Sequence, residues 1–280
     1  MTTSYQQVLV HVDANTRSRQ RLQIANTLAT QHGAALQAMY AATSSAVAMT
    51  YPDPVSADLV ARMVQEDVQR RARCRAMFDA VAVSTGMRAS WSEAGQAPLA
   101  DNFAQQALFA DLLLLGQNDP SADAQHEVPP DFVESVLAAS GKPGLIIPYV
   151  GDFDHVGETV VIAWKDSREA ARAVGAALPL LQRAQKVHVL AWGQPAPPIG
   201  GNGLDLDSYL RRHGVQARWH REGVAESDTL GDQLLSRACD LGAELLVMGC
   251  YGHSRMREWM LGGTSRTVLR SMTLPVLMAH

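Results

Sequence analysis

AELLVMGCYGHSRMREWMLGGTSR, residues 243–266, is the stretch on which the fold is read. It opens on LLVM, a continuous apolar run of the kind found in strands buried on both faces. Glycines follow at Gly249 and Gly252 and again at Gly262 and Gly263, and the chain then continues as SRTVLRSM with helical spacing. A strand, a glycine-bearing loop and a helix in that order make one arm of a parallel α/β unit.

Working outward, the second half reads as the strands TVVIAW, KVHVLAW, VQARWH, AELLVMG and PVLMAH. Helical patterns fit between them at Ser167–Arg183, Leu204–His213, Ser227–Leu241 and Thr264–Ser271. The first half has the same order, with a long helix over Ser56–Ser84. Segments also match pairwise: ADLLLLGQND (Ala110–Asp119) with AELLVMGCYG, QVLVHVD (Gln7–Asp13) with TVVIAWKD (Thr159–Asp166), and KPGLIIPYV with LPVLMAH. The pattern therefore predicts an α/β protein of two tandem Rossmann-like open parallel five-stranded sheets, with helices on both faces. The predicted domains are residues 1–150 and 159–280, joined by the polar linker GDFDHVGE at 151–158. Sheets of this type take ligands at the carboxyl ends of their strands, where strand order reverses.

Composition narrows the function. The 280 residues are 47% hydrophobic and 19% charged, as in globular domains, and a net charge of −4 without a Lys/Arg stripe argues against a nucleic-acid partner. Cys74, Cys239 and Cys250 form no CxxC pair, which fits reduced thiols. No apolar run reaches membrane-spanning length and the N-terminus has no signal-peptide pattern, so the expected location is cytoplasmic, with no membrane partner.

The loop itself, G-x2-G-x9-G-G-T-S, admits two readings. In one it cradles phosphate: glycine lets backbone N–H groups reach an anion, and Gly262, Gly263, Thr264 and Ser265 lie where a helix presents unpaired N–H groups and its positive dipole end. In the other the glycines serve only turn geometry and the hydroxyls cap the helix. This spacing resembles the signature of the universal stress protein family, G-x2-G-x9-G-(S/T), and WKDSREAARAVGAALPLL resembles that family's first strand and helix. The likeness runs over both halves, as in a tandem two-domain universal stress protein of the adenine nucleotide alpha hydrolase-like fold.

The resemblance implies a stress-response regulator that binds ATP, AMP or ADP as its cofactor in the C-terminal half. Gly249, Gly252, Gly262 and the following Gly263, Thr264 and Ser265 would hold phosphate, with Asp166 and Trp192 at the adenosine. Two positions depart from the family pattern. Gly263 replaces the expected hydroxyl, and Lys165 occupies the usual aspartate column with Asp166 beside it. In the first half Gly116 matches Gly249, but Asp119 replaces Gly252, and Pro129, Pro130 and Asp131 stand in place of the second glycine pair. Proline offers no N–H, and Asp119, Asp123, Glu127 and Asp131 repel a triphosphate, so no ordinary nucleotide site is expected there. Asp13 keeps the acidic column. The two halves are expected to pair within the chain, as single-domain relatives pair in homodimers; a homodimer of the whole chain and an unknown protein partner are left open.

Other chemistry is sparse. The nine histidines show no HxxxH or HxH spacing, so no metal ligands are assigned. His11 reads as a strand histidine beside Asp13, and Cys250 lacks a nearby resolving cysteine. No Walker lysine or GxSxG elbow occurs, and no catalytic residue is assigned. The alternatives to a nucleotide-binding regulator are a nucleotide-free interaction module of the same fold and a slow ATP hydrolase.

Overall fold

The computed structural model describes residues 3–44, 56–95, 98–120, 127–193, 203–223, 229–250 and 263–280. Two compact units are formed, Tyr5–Lys142 and a C-terminal unit built from Pro143–His280 together with Met1–Ser4. In the first, β1 (Gln7–Val12) leads through α1 (Ser18–His32) to β2 (Ala35–Tyr40) and α2 (Ala57–Thr85). It continues with β3 (Ala89–Glu93), α3 (Leu99–Ala107), β4 (Leu112–Gly116) and α4 (Phe132–Ser140). Its strands lie in the order β3-β2-β1-β4, all parallel, with Val8, Val10 and Leu112–Leu115 buried at the centre.

The C-terminal unit begins with β5 (Gly144–Ile147) and β6 (Thr159–Trp164), followed by α5 (Arg168–Leu181) and β7 (Lys186–Trp192). Then come α6 (Leu206–Arg212), β8 (Ala217–Glu222), α7 (Leu230–Asp240), β9 (Leu245–Gly249), α8 (Gly263–Ser271) and β10 (Val276–Ala279). Here the order is β5-β10-β9-β6-β7-β8. The neighbour of β6 changes from β7 on one side to β9 on the other, which opens a crevice at the carboxyl ends of these strands.

The expectation of two separate, all-parallel five-stranded sheets is corrected. The N-terminal unit has four parallel strands, β3-β2-β1-β4, and the C-terminal unit has a six-stranded mixed sheet, β5-β10-β9-β6-β7-β8. Moreover, β5 belongs to the C-terminal unit, where it pairs antiparallel with β10 through Val276↔Ile146, Leu277↔Leu145 and Met278↔Gly144. The physical reason lies in the strand edges. Both strands are four residues long and buried throughout. Left as edges, they would bury unpaired N–H and C=O groups, and antiparallel pairing satisfies those groups.

Candidate functional site

The crevice of the C-terminal unit is assembled from strand ends and helix starts. Beyond Trp164, the last residue of β6, Lys165 and Asp166 are exposed. The Trp164 indole Nε1 donates to Asp166 Oδ1 at 2.9 Å. Ser167 then caps α5, its hydroxyl accepting from the Ala170 N–H at 3.2 Å. Trp192 closes β7 opposite Glu222 of β8, and Glu222 is held by Arg237 of α7 at 2.7 Å.

Gly249 closes β9 against the first turn of α5. A Cβ on Gly249 would lie 2.5 Å from Ala170 N and 2.6 Å from the Glu169 carbonyl carbon, so only glycine fits. The Glu169 carboxylate, 4% exposed in that turn, accepts from Arg168 Nε at 2.5 Å, and this bond holds it below the ordinary carboxylate range. Just past the strand, the Cys250 N–H donates to the Ala279 carbonyl of β10 at 2.9 Å.

The start of α8 is positioned by α7. A Cβ on Gly231 would meet Thr267 Cβ at 2.6 Å, so that glycine lets the two helices approach closely. Gly263 and Thr264 open α8 at the surface and in partial cover, and Ser265 is buried. The first N–H groups of such a helix lack intrahelical partners and carry the positive dipole end. Asp166, Trp192 and Gly249 thus sit at or just past the carboxyl ends of three adjacent strands, β7-β6-β9. Gly263, Thr264 and Ser265 sit on α8, while Gly252 and Gly262 fall outside the described residues.

The corresponding crevice of the N-terminal unit is built differently, through a residue that sequence reading passed over. Arg21 of α1, 3% exposed, donates Nη2 to Asp13 Oδ1 at 2.8 Å and to Ser18 Oγ at 2.7 Å, and Nε to the His11 carbonyl at 3.2 Å. Its guanidinium fills the space a Cβ of Gly116 would need. Burial disfavours charge on Asp13, but Arg21, His11 and the bond from Ser18 (2.5 Å) outweigh it and keep the carboxyl below its ordinary range. Burial also depresses His11 to about 4, against the pull of Asp13. A sequence signal for Arg21 did exist: it lies on the α1 face that carries Leu22, Ala25 and Leu28, where a charge needs a buried partner.

Two groupings come from register and strand starts, beyond the reach of sequence spacing. His188 Nδ1 and His220 Nε2 lie 2.9 Å apart across β7 and β8. Among the described residues, His155, Glu158 and Glu244 are the one trio of metal-ligating type, exposed or half-exposed, and Glu244 accepts the Glu158 N–H at 2.9 Å.

Comparison with known proteins gives one family match. Residues 157–280 match the universal stress protein family. A universal stress protein from Archaeoglobus fulgidus DSM 4304 aligns over 98% of this chain and 95% of its own, with a TM-score of 0.67 at 15% identity. A functionally unknown protein from Pseudomonas aeruginosa PAO1 aligns over 98% and 92%, with a TM-score of 0.58 at 13% identity. No curated protein matches. At such identities the likeness is one of fold, and the fold is that of universal stress proteins. The expected tandem two-domain type, with its tandem repeat, is corrected by these findings. The family match is single, at residues 157–280, and the structural matches span the chain as one. No described helix is long and apolar enough to cross a membrane.

Proposed function

We propose that the protein is a stress-response regulator that binds ATP, or AMP or ADP, at the β6/β9 crevice of the C-terminal unit. The observation that carries this reading is the placing of Asp166, Trp192 and Gly249 at adjacent strand ends, with α8 starting at Gly263. Strand ends would take the adenosine, and the α8 start with its preceding glycines would take the phosphates. No catalytic residue is assigned, so the nucleotide acts by its binding free energy, stabilising the conformation that a protein partner recognises. Calorimetric titration with ATP, after stripping co-purified nucleotide, tests the reading. One site is expected, lost in Gly252→Asp; no binding at ~1 mM ATP, weaker than about 4 kcal/mol, overturns it. Phosphate release that tracks binding would instead select a slow ATP hydrolase.

A second reading, a nucleotide-free interaction module, draws on the packing of Gly249. Contact with α5 accounts for that glycine without any ligand, and Trp164 already engages the Asp166 carboxylate. A ligand that binds only the native state raises its melting temperature. A folded protein whose Tm does not move with ATP selects this second reading.

A further inference from the structure

We propose that the polar cavity of the N-terminal unit is a binding site for a primary ammonium group, carried by a small organic amine. The cavity measures about 50 Å³ and is lined by His11, Asp13, Arg21, Asp119, Glu127 and Phe132, among others. A single water needs about 10–15 Å³ on this measure, so there is room for a group of several heavy atoms.

Among the described residues, three acceptors on the side chains lining this cavity have no hydrogen-bond donor. His11 is 1% exposed, and its Nε2 lies 2.8 Å from the Ala41 carbonyl. A carbonyl only accepts, so Nε2 carries the hydrogen, and Nδ1 of the neutral ring is a bare lone pair. Its polar neighbour is Asp13 Oδ2 at 3.8 Å, itself an acceptor. Asp13 receives Ser18 Oγ, Arg21 Nη2 and the Asn15 N–H all on Oδ1, which leaves Oδ2 without a hydrogen bond. Glu127 engages Arg70 through Oε1 at 3.1 Å, and its buried Oε2 has no partner. A buried carboxylate oxygen without a donor, as Glu127 Oε2 is, is costly.

The charge of the lining selects among donors. Among the described lining residues Asp13, Asp119 and Glu127 stand against Arg21, and Arg70, which pairs with Glu127, is shared with Asp67, so the balance disfavours an anion and favours a cation. A primary ammonium is a compact cation with three N–H donors, able to serve His11 Nδ1 and Asp13 Oδ2, which lie 3.8 Å apart, and to pair with the Glu127 charge. Pro129, Pro130, Val133 and Phe132 supply an apolar wall for its alkyl stem. Adenosine is disfavoured in the same place, because Arg21 fills the space over Gly116 and His11 already takes the Ala41 carbonyl.

Titrating the full-length protein with n-butylammonium, followed by amide chemical shifts, tests this site. Saturable shifts at Asp13, Gly116 and Glu127 are expected. Tetramethylammonium, a cation without N–H donors, and butyrate should produce none. Glu127→Gln should weaken n-butylammonium by about tenfold or more, through loss of a charge-assisted bond. If that variant does not fold, Asp119→Asn at the same lining provides the second measure, with a smaller loss. Absence of saturable shifts, equal binding of tetramethylammonium, or unchanged affinity in the folded variants overturns the proposal. ATP titration reads the other unit, so the two outcomes are independent.

Discussion

At Arg21, a cation is buried on a helix face otherwise made of Leu22, Ala25 and Leu28, and it is tolerated because Asp13, Ser18 and the His11 carbonyl pair it. Breaking such a pair leaves an uncompensated charge, which is more damaging than losing the pair as a whole. His11 beside it should make stability depend on pH. The unfolded ring titrates near 6.5 and the folded one near 4, so between these values the unfolded chain binds more protons. The contribution of neutral His11 is complete above pH 6.5 and is lost as pH falls through 4. By pH 4 the loss is about 3 kcal/mol relative to pH 7. Urea unfolding at both pH values should show this, and His11→Gln, which keeps an N–H for Ala41 and does not titrate, should flatten it. An unchanged pH dependence in that variant would contradict the assignment.

Among the elements, α5 connects local signal to site geometry. Ser167 ends the extended segment after β6 and caps the helix, and the first turn so fixed lies on Gly249. Ser167→Ala should cost about 1 kcal/mol, seen as a lower urea midpoint with an unchanged m value. A loss well above that would mean the cap also holds the contact between α5 and the end of β9. Helix bounds of this kind were largely readable in advance: Ser167–Arg183 was expected and Arg168–Leu181 is found, and Ser56–Ser84 became Ala57–Thr85. Amphipathic period and capping residues act within a few turns, so they leave a local trace. The His188–His220 contact left none, because the register of two parallel strands brings together residues 32 positions apart.

For the molecule as a whole, the decisive element is β10, which lies between β5 and β9. A chain ending at residue 271 lacks it and should expose the edges of both neighbours. Amide-exchange protection of Leu245–Gly249 should then collapse; native protection there would show that β10 is dispensable. Strand and helix order, and the placing of Asp166, Trp192 and Gly249 at strand ends, were legible from apolar runs and glycine punctuation, since these reflect burial of each segment on its own. Which edges join was not. A short buried apolar run serves a parallel or an antiparallel neighbour equally well, and GLII (Gly144–Ile147) pairs with β10 through backbone hydrogen bonds that carry no side-chain signature. Nor could spacing show that Arg21 fills the space over Gly116 or that His11, Asp13 and Glu127 line one cavity. Those facts depend on how distant segments meet, and only the tertiary structure brings their charges and lone pairs into one cavity.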